Sequence, residues 1–401
     1  DAVKAIIMVA GKSTRTYPLT LTRPKPLLKV VNKPVLAWHL EALRNLVDEA
    51  ILVVGYRKEM VREAFGGAYE GLPLRYVEQT EQLGTGHAIL QCEKHVDGPF
   101  IALNGDDLYA PGDLQSLANA ANAALAKRVA DPRGYGVLEV DASGRLRRLV
   151  EKPPDPASDL VNAGAYVLTP EVFDLLRGVR PSERGEIEVT SAIQTMAGRG
   201  AFHIVEMKGY WLPIGYPWHL LEANEYLLHE MTPQLEGEVS PRAELNGPVH
   251  VGKGSVIRGG VVIDGPAYVG ENCSVGPNSW LRAGATLCNG CRVGQACEVK
   301  NSILFDGSAV PHLSYVGDTI IGERSNFGAG TITANVRHDG DTVKSLVKGE
   351  LIDTGRHKLG AIVGDGVHTG INTCLYPGRK LWPGTSTRPG EAVSCDIQSP
   401  E

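Results

Sequence analysis

Apolar positions along the chain keep two different rhythms, and the change of rhythm divides it. Up to residue 230, short apolar runs alternate with helix-like stretches. Residues 3–9, 50–55, 74–77 and 100–103 read as strands, and 34–46 and 112–127 as helices between them. Such alternation predicts an α/β, Rossmann-like domain over 1–230, with a mainly parallel sheet and ligands at the carboxyl ends of its strands. Two polar segments follow such ends: the turn opened by Ala10, and Asn104-Gly105-Asp106-Asp107.

Beyond a linker expected at 231–243, aliphatic side chains recur every six residues. They fall at Val251, Ile257, Ile263, Val269, Val275, Leu281, Leu287, Val293 and Val299. Neither a helix nor a meander produces that period; a parallel β-helix does. The register slips near Asp306 and returns at Val363, Leu375, Leu381 and Val393, so the polar stretch 333–358 is expected to loop out. Four positions after each repeat aliphatic lie Ser255, Val261, Ala267, Cys273, Ser279, Ala285, Cys291 and Cys297, a mostly small set that suits a tight interior corner. That placement assigns Cys291 and Cys297 to packing rather than to a metal. Cys288 falls on the other face. The β-helix domain is expected over 244–401.

Composition narrows the function classes. Charged residues make up 21% of 401 and the formal net charge is −6, which argues against a nucleic-acid partner. No run approaches 18 apolar residues and no basic-apolar leader opens the chain, so neither a membrane nor a secretory route is expected. Seven cysteines without disulfide-scaffold spacing suit a reducing, cytoplasmic setting.

The first strand empties into Ala10-Gly11-Lys12-Ser13-Thr14-Arg15, followed by Pro18-Leu19-Thr20 and Pro24-Lys25-Pro26. Small residues let backbone N–H groups close on phosphate oxygens, and two cations offset the charge of a triphosphate. Gly11-Lys12-Ser13-Thr14 is not a Walker loop: the Gly that motif requires five residues before its Gly-Lys is Ile6. The segment resembles the nucleotide-binding turn of the sugar-1-phosphate nucleotidylyltransferases, with Ser13 where that pattern carries a second Gly.

The resemblance implies roles for residues further along. Arg15 and Lys25 would contact phosphates. Gln79, Gln82, Gly84 and Thr85 would hold base and ribose, and Gly136, Glu151, Lys152 and Asn162 the sugar phosphate. Asp106 would bind Mg²⁺, which prefers oxygen ligands. In the segment where the family often adds an Asp to the metal site, Pro213 and His219 stand instead, and His219 is the candidate second ligand although imidazole suits Mg²⁺ less well. A sugar phosphate is largely dianionic at neutral pH, so this transfer needs positioning groups and a cation rather than a Ser-His-Asp array.

The hexads resemble those of acyltransferases with a left-handed β-helix of three hexads per coil, which usually trimerise. On that geometry Arg282 and Lys300, 18 residues apart, stack and face outward, and a phosphate is the natural anion to join them. Pro311-His312-Leu313-Ser314-Tyr315-Val316-Gly317-Asp318, with Asn326-Phe327-Gly328-Ala329-Gly330-Thr331 and Asn335, resembles the acetyltransferase domain of bifunctional GlmU enzymes. The resemblance implies His312 as base toward an amine. Arg282, Lys300 and Tyr315 would bind the sugar phosphate; Asn326, Asn335 and Lys344 would orient the sugar and the reacting carbonyl. Ala329 would lie by acetyl-CoA. The basic segment 348–358 resembles archaeal forms more than the usual bacterial one, whereas Asp341 departs from the lysine that archaeal relatives tend to carry, and the amino sugar stays open between glucosamine and galactosamine.

The chain therefore reads as a bifunctional enzyme and a homotrimer, its partners a nucleoside triphosphate, a sugar 1-phosphate and acetyl-CoA. Two alternatives stay open at this point. One is a monofunctional uridylyl- or thymidylyltransferase on a structural β-helix; the other is a non-catalytic scaffold sharing the two-part architecture.

Overall fold

The computed structural model describes residues 3–399 and divides into two compact units. The first takes in the chain up to residue 12, then 24–27 and 35–213; the second takes in 13–23, 28–34 and everything from 214 onward.

In the first unit, Lys4–Met8 is a central strand, parallel to Glu49–Val54 on one side and Phe100–Asn104 on the other. Leu72–Glu78 extends the parallel set, and Leu160–Leu168 joins antiparallel beyond Phe100–Asn104. Ile6 and Ile7 point to opposite faces and are both fully buried, as a strand covered on both faces requires. The helix expected over 112–127 is only partly there. It runs Pro111–Ala118, and Ala123–Arg128 is a strand paired with Leu160–Leu168 and His203–Glu206. Asn122 breaks the run with φ 46°, its side chain accepting from the Thr169 N–H at 3.1 Å. The four residues Ala123 to Ala126 are buried within the sheet, and that burial overrides their helical preference.

The second unit is a left-handed parallel β-helix whose strands stack into three sheets. The six-residue row is its interior: Ile263, Leu281, Val299 and Val316 lie in register on successive coils, each fully buried. The small-residue row is buried with it. The slip near Asp306 is a shortened coil, in which Leu287 pairs with Leu304 and Leu304 with Ile321. The polar stretch does loop out: Ile321 pairs directly with Val363, and between them Lys344–Val347 and Glu350–Asp353 form a hairpin. Within the segment expected as a linker, Glu238–Val239 already stacks on Val256–Ile257.

Residues 13–23 and 28–34 lie against this coil. Arg23 is ion-paired to Glu323 at 2.6 Å and to Asp365, Lys29 to Asp306 at 3.0 Å, and Asn32 donates to Asn289 at 2.9 Å. Cys288, expected on the outer face, is therefore fully buried as well; burial pushes its thiol pKa up, with Lys29 acting in the opposite sense. Among the described residues no three His, Cys, Asp or Glu side chains gather as a metal site.

Near the end of the coil, Lys380 is 1% exposed and its ammonium donates to the Leu346 carbonyl at 2.8 Å, holding the hairpin down. Burial lowers its pKa from 10.5 to about 8. Between those values the unfolded chain holds the proton and the folded one has released it, so this group's contribution to stability rises with pH across that window. The melting temperature of the parent relative to Lys380→Met is expected to climb from pH 8 to 10; a difference that stays flat would refute it.

Candidate active sites

The first site grows from strand ends of the α/β unit. After Lys4–Met8 the backbone is held by neighbouring loops: the Gly105 N–H donates to the Met8 carbonyl at 3.0 Å and the Tyr56 N–H to that of Ala10 at 3.1 Å. A Cβ on Gly105 would lie 2.4 Å from the Met8 carbonyl oxygen, so glycine is required there. At Gly11 the opposite holds. Among the described residues nothing comes within 4 Å of where its Cβ would sit, and Gly11 and Lys12 are exposed, which leaves room for a ligand against the backbone.

Lys25 is 3% exposed, and its ammonium lies 3.2 Å from Asp106, whose side chain is 45% exposed. The adjacent Asp107 turns inward, where it accepts from Tyr109 Oη and Asn104 Nδ2, each at 3.3 Å. Burial, and then the neighbouring Asp106, push the Asp107 pKa up to about 7. The two carboxylates therefore divide the work: Asp106 faces outward as a hard oxygen donor suited to Mg²⁺, while Asp107 braces the strand. Trp211–Pro213 pairs with Asp107–Tyr109 and sets Pro213 opposite Asp107. The position that could add a carboxylate thus adds none.

The remaining expected residues line the same unit. Gly136 pairs with Glu151 across two strands, and a Cβ on Gly136 would meet Glu151 Oε2 at 3.0 Å and Asn162 Cβ at 3.7 Å. Asn162 donates to Tyr166 Oη at 2.7 Å and accepts from the Gly164 N–H at 3.0 Å. The Glu151 pKa is raised by burial and by Glu188. Lys152 (φ 44°) is exposed beside it, its N–H bonded to the Tyr135 carbonyl, and the Tyr135 ring packs against Trp211.

On the base side, Gln79 is buried and its amide nitrogen reaches the Gly84 carbonyl at 3.2 Å and His87 Nδ1 at 2.9 Å. Gly84 has φ 102° and would bring a Cβ to 2.6 Å from the Ile187 carbonyl oxygen. Thr85 Oγ1 accepts from the Val189 N–H, and Gln82 Nε2 lies 2.9 Å from where a Gly55 Cβ would sit. Gln79 and Thr85 thus build this turn from within.

In the second unit, Ser13 adopts φ 56°, the left-handed conformation for which the family pattern carries glycine. Its carbonyl is anchored by the Thr16 and Thr20 hydroxyls at 2.8 and 2.6 Å. Arg15 is exposed, and its guanidinium lies 5.4 Å from the Tyr216 ring centroid.

The same region holds His219. Its Nδ1 accepts from the Gly215 and Tyr216 N–H groups at 3.0 and 3.2 Å, closing a capping box on the helix Pro217–Glu230. His219 thus caps this helix through Nδ1.

On the β-helix the structure brings together most of the second constellation. Lys300 donates to Asp318 at 2.9 Å; Asn335 Nδ2 donates to Asp318 at 2.7 Å and to Tyr315 Oη at 3.1 Å. One coil earlier Arg282 bonds Glu298 at 3.2 Å, its guanidinium 4.9 Å from the Trp280 ring centroid. The two stacked cations thus already have carboxylates, which removes charge repulsion as an argument for a bound phosphate.

Gly317 lets this cluster close, since a Cβ there would lie 2.5 Å from Tyr315 Oη and 2.6 Å from Asn335 Nδ2. His312 is exposed on a neighbouring sheet, and its carbonyl accepts from the Gly330 N–H, beside Ala329. Asn326 pairs with Ala309 of the His312 strand. Lys344 is exposed on the hairpin. Sequence reasoning missed Glu298, Asp318 and Arg356; in the shortened coil Lys300 is in register with Gly317, so no repeat spacing leads from it to Asp318.

A model of the nucleotidyl transferase family matches residues 4–230, and one described as the GMPPB C-terminal domain matches 257–378. The bifunctional protein GlmU of Methanococcus maripaludis is 40% identical, the match covering 94% of this chain and 91% of that protein. The bifunctional sugar-1-phosphate nucleotidylyltransferase/acetyltransferase of Sulfurisphaera tokodaii is 37% identical over 98% of both. Among solved structures, a UDP-glucose pyrophosphorylase complexed with UDP-glucose is 27% identical with a TM-score of 0.54, the match covering 58% of this chain and all of that one.

Proposed function

The chain belongs to the bifunctional GlmU family of sugar-1-phosphate nucleotidylyltransferases and acetyltransferases, and from that premise we propose how its residues divide the two reactions. In the first, an oxygen of N-acetylglucosamine 1-phosphate or glucose 1-phosphate attacks the α-phosphorus of UTP, or of dTTP, and pyrophosphate leaves. Ala10, Gly11, Lys12, Ser13 and Thr14 carry the phosphate-binding turn, and Arg15 and Lys25 supply positive charge. Gln79, Gln82, Gly84 and Thr85 shape the base site. Gly136, Glu151, Lys152 and Asn162 hold the sugar. Asp106 would hold Mg²⁺, which offsets charge on the triphosphate.

In the second reaction the amine of glucosamine 1-phosphate attacks the thioester of acetyl-CoA, His312 takes the amine proton, and coenzyme A leaves as the thiol. Arg282, Lys300 and Tyr315 bind the sugar phosphate. Asn326, Asn335 and Lys344 orient the sugar and the thioester carbonyl beside Ala329. The observation that carries this reading is the meeting of Lys300 and Asn335, from the coils on either side, at the Asp318 carboxylate, with Tyr315 Oη bonded to the same Asn335 amide. A β-helix that only trimerised would have no use for it.

We also propose a cytoplasmic homotrimer. Seven free cysteines support the compartment, and the exposed Trp280 and Ile332 on one sheet support self-association. Among the described residues no helix is long and apolar enough to cross a membrane.

The test is to assay both reactions with and without EDTA. UTP-dependent pyrophosphate release should fall by at least about a hundredfold on chelation and return with Mg²⁺, while thiol release from acetyl-CoA with glucosamine 1-phosphate should change less than about twofold. Pyrophosphate release insensitive to chelation would remove the metal from the proposal, and absence of thiol release would remove acetyl transfer.

A further inference from the structure

We infer that Asp318 is the positioning residue of the acetyl-transfer site, orienting Lys300 and Asn335 toward the sugar phosphate; the inference rests on the acetyl-transfer reading above. Asp318 is 1% exposed, yet it sits at a corner of the coil where shape alone calls for no charge. A buried carboxylate is costly unless its oxygens are satisfied, and here they are. Oδ2 accepts from Lys300 Nζ at 2.9 Å and Asn335 Nδ2 at 2.7 Å; Oδ1 accepts from Asn301 Nδ2 at 3.0 Å and has Arg356 at 3.7 Å. Its backbone is pinned between coils, the N–H to the Lys300 carbonyl and its own carbonyl to the Gly360 N–H, with φ 50°.

The consequence lies in what those bonds leave over. A lysine ammonium has three donors; one goes to Asp318, so two remain at a fixed place for phosphate oxygens. A free lysine would have to surrender much of its rotamer freedom on binding, and Asp318 has already restricted it. Asn335 is fixed more completely. Both amide protons are taken, by Asp318 and by Tyr315 Oη, so its carbonyl oxygen is the group left to meet a substrate N–H or hydroxyl. Arg356 offsets the carboxylate from the far side, its own second partner being Glu222 at 3.8 Å. Lys300 therefore keeps more of its attraction for a dianion than an isolated ion pair would.

The test is Asp318→Asn in the full-length enzyme; asparagine tolerates the left-handed backbone and keeps the side-chain shape. KM for glucosamine 1-phosphate is expected to rise roughly tenfold, with KM for acetyl-CoA and the rate of pyrophosphate release within about twofold of the parent. In a Lys300→Met background the same substitution should raise KM further by less than about half the factor seen in the parent, the remainder acting through Asn335. Asp318→Glu, which keeps the charge, should stay within about threefold of the parent and provides a readable variant if the Asn protein folds poorly. Parental KM in D318N, effects that multiply in the Lys300→Met background, or equal damage in D318N and D318E would overturn the inference while leaving acetyl transfer standing. A parent that releases no thiol would overturn the acetyl-transfer reading, and the inference with it.

Discussion

His312→Ala is expected to lower acetyl transfer by about 10²- to 10⁴-fold and to leave UTP-dependent pyrophosphate release within about twofold of the parent. Acetylation of an amino sugar requires a neutral amine, and the proton lost as the C–N bond forms must go to a group of near-neutral basicity. Imidazole is the side chain suited to that task. His312 is exposed, and its fixed contribution to the coil comes from its backbone, whose carbonyl accepts from the Gly330 N–H. Removing the ring should therefore cost stability no more than about 0.5 kcal/mol, the range of an ordinary surface substitution. That separation makes the experiment decisive. A variant with the parental melting temperature and parental pyrophosphate release, but no thiol release, isolates chemistry from folding. A variant retaining more than a tenth of parental acetylation would mean that another group takes the proton.

Several parts of this molecule were legible from the chain because they repeat or because they punctuate. The aliphatic row from Val251 to Val299 could be read since every coil presents the same interior position to the same small core, so one period is imposed many times over. Ser13 was legible only as a departure from the family's glycine, which pointed to a turn suited to a non-Gly residue; the structure instead gives it the left-handed φ of 56° that glycine favours, held by the Thr16 and Thr20 hydroxyls. What failed has a common physical origin in contacts set by distant coils and sheets. The alanines at 123–126 favour a helix locally and were taken by the sheet. Cys288 pointed outward by its register, yet residues 28–34 cover that face. Asp318 carries no periodic signal of its own; its importance emerges only when Lys300, Asn301, Asn335 and Arg356 converge on it from separate segments.

Lys25→Met should lower pyrophosphate release by about 10²- to 10³-fold, the usual consequence of removing one preorganised donor from a site where transition-state charge develops, and should leave thiol release unchanged. The ammonium is almost wholly buried, and Asp106, half in solvent, is its ion-pair partner. A cation held this way is expensive to keep unless it is used, and removing one member of an ion pair is costly chiefly where the other is left buried and unpaired. Methionine preserves the stem's packing. Asp106, left without its partner, can turn to water because its side chain is 45% exposed. The variant is therefore expected to melt no lower than the parent while losing nucleotidyl transfer. Measuring both quantities on one preparation gives the argument its force. Lost transfer with undiminished stability means that the fold retains Lys25 for the phosphates; a fall in stability that accounts for the lost activity would make Lys25 a structural member of the Asp106 pair.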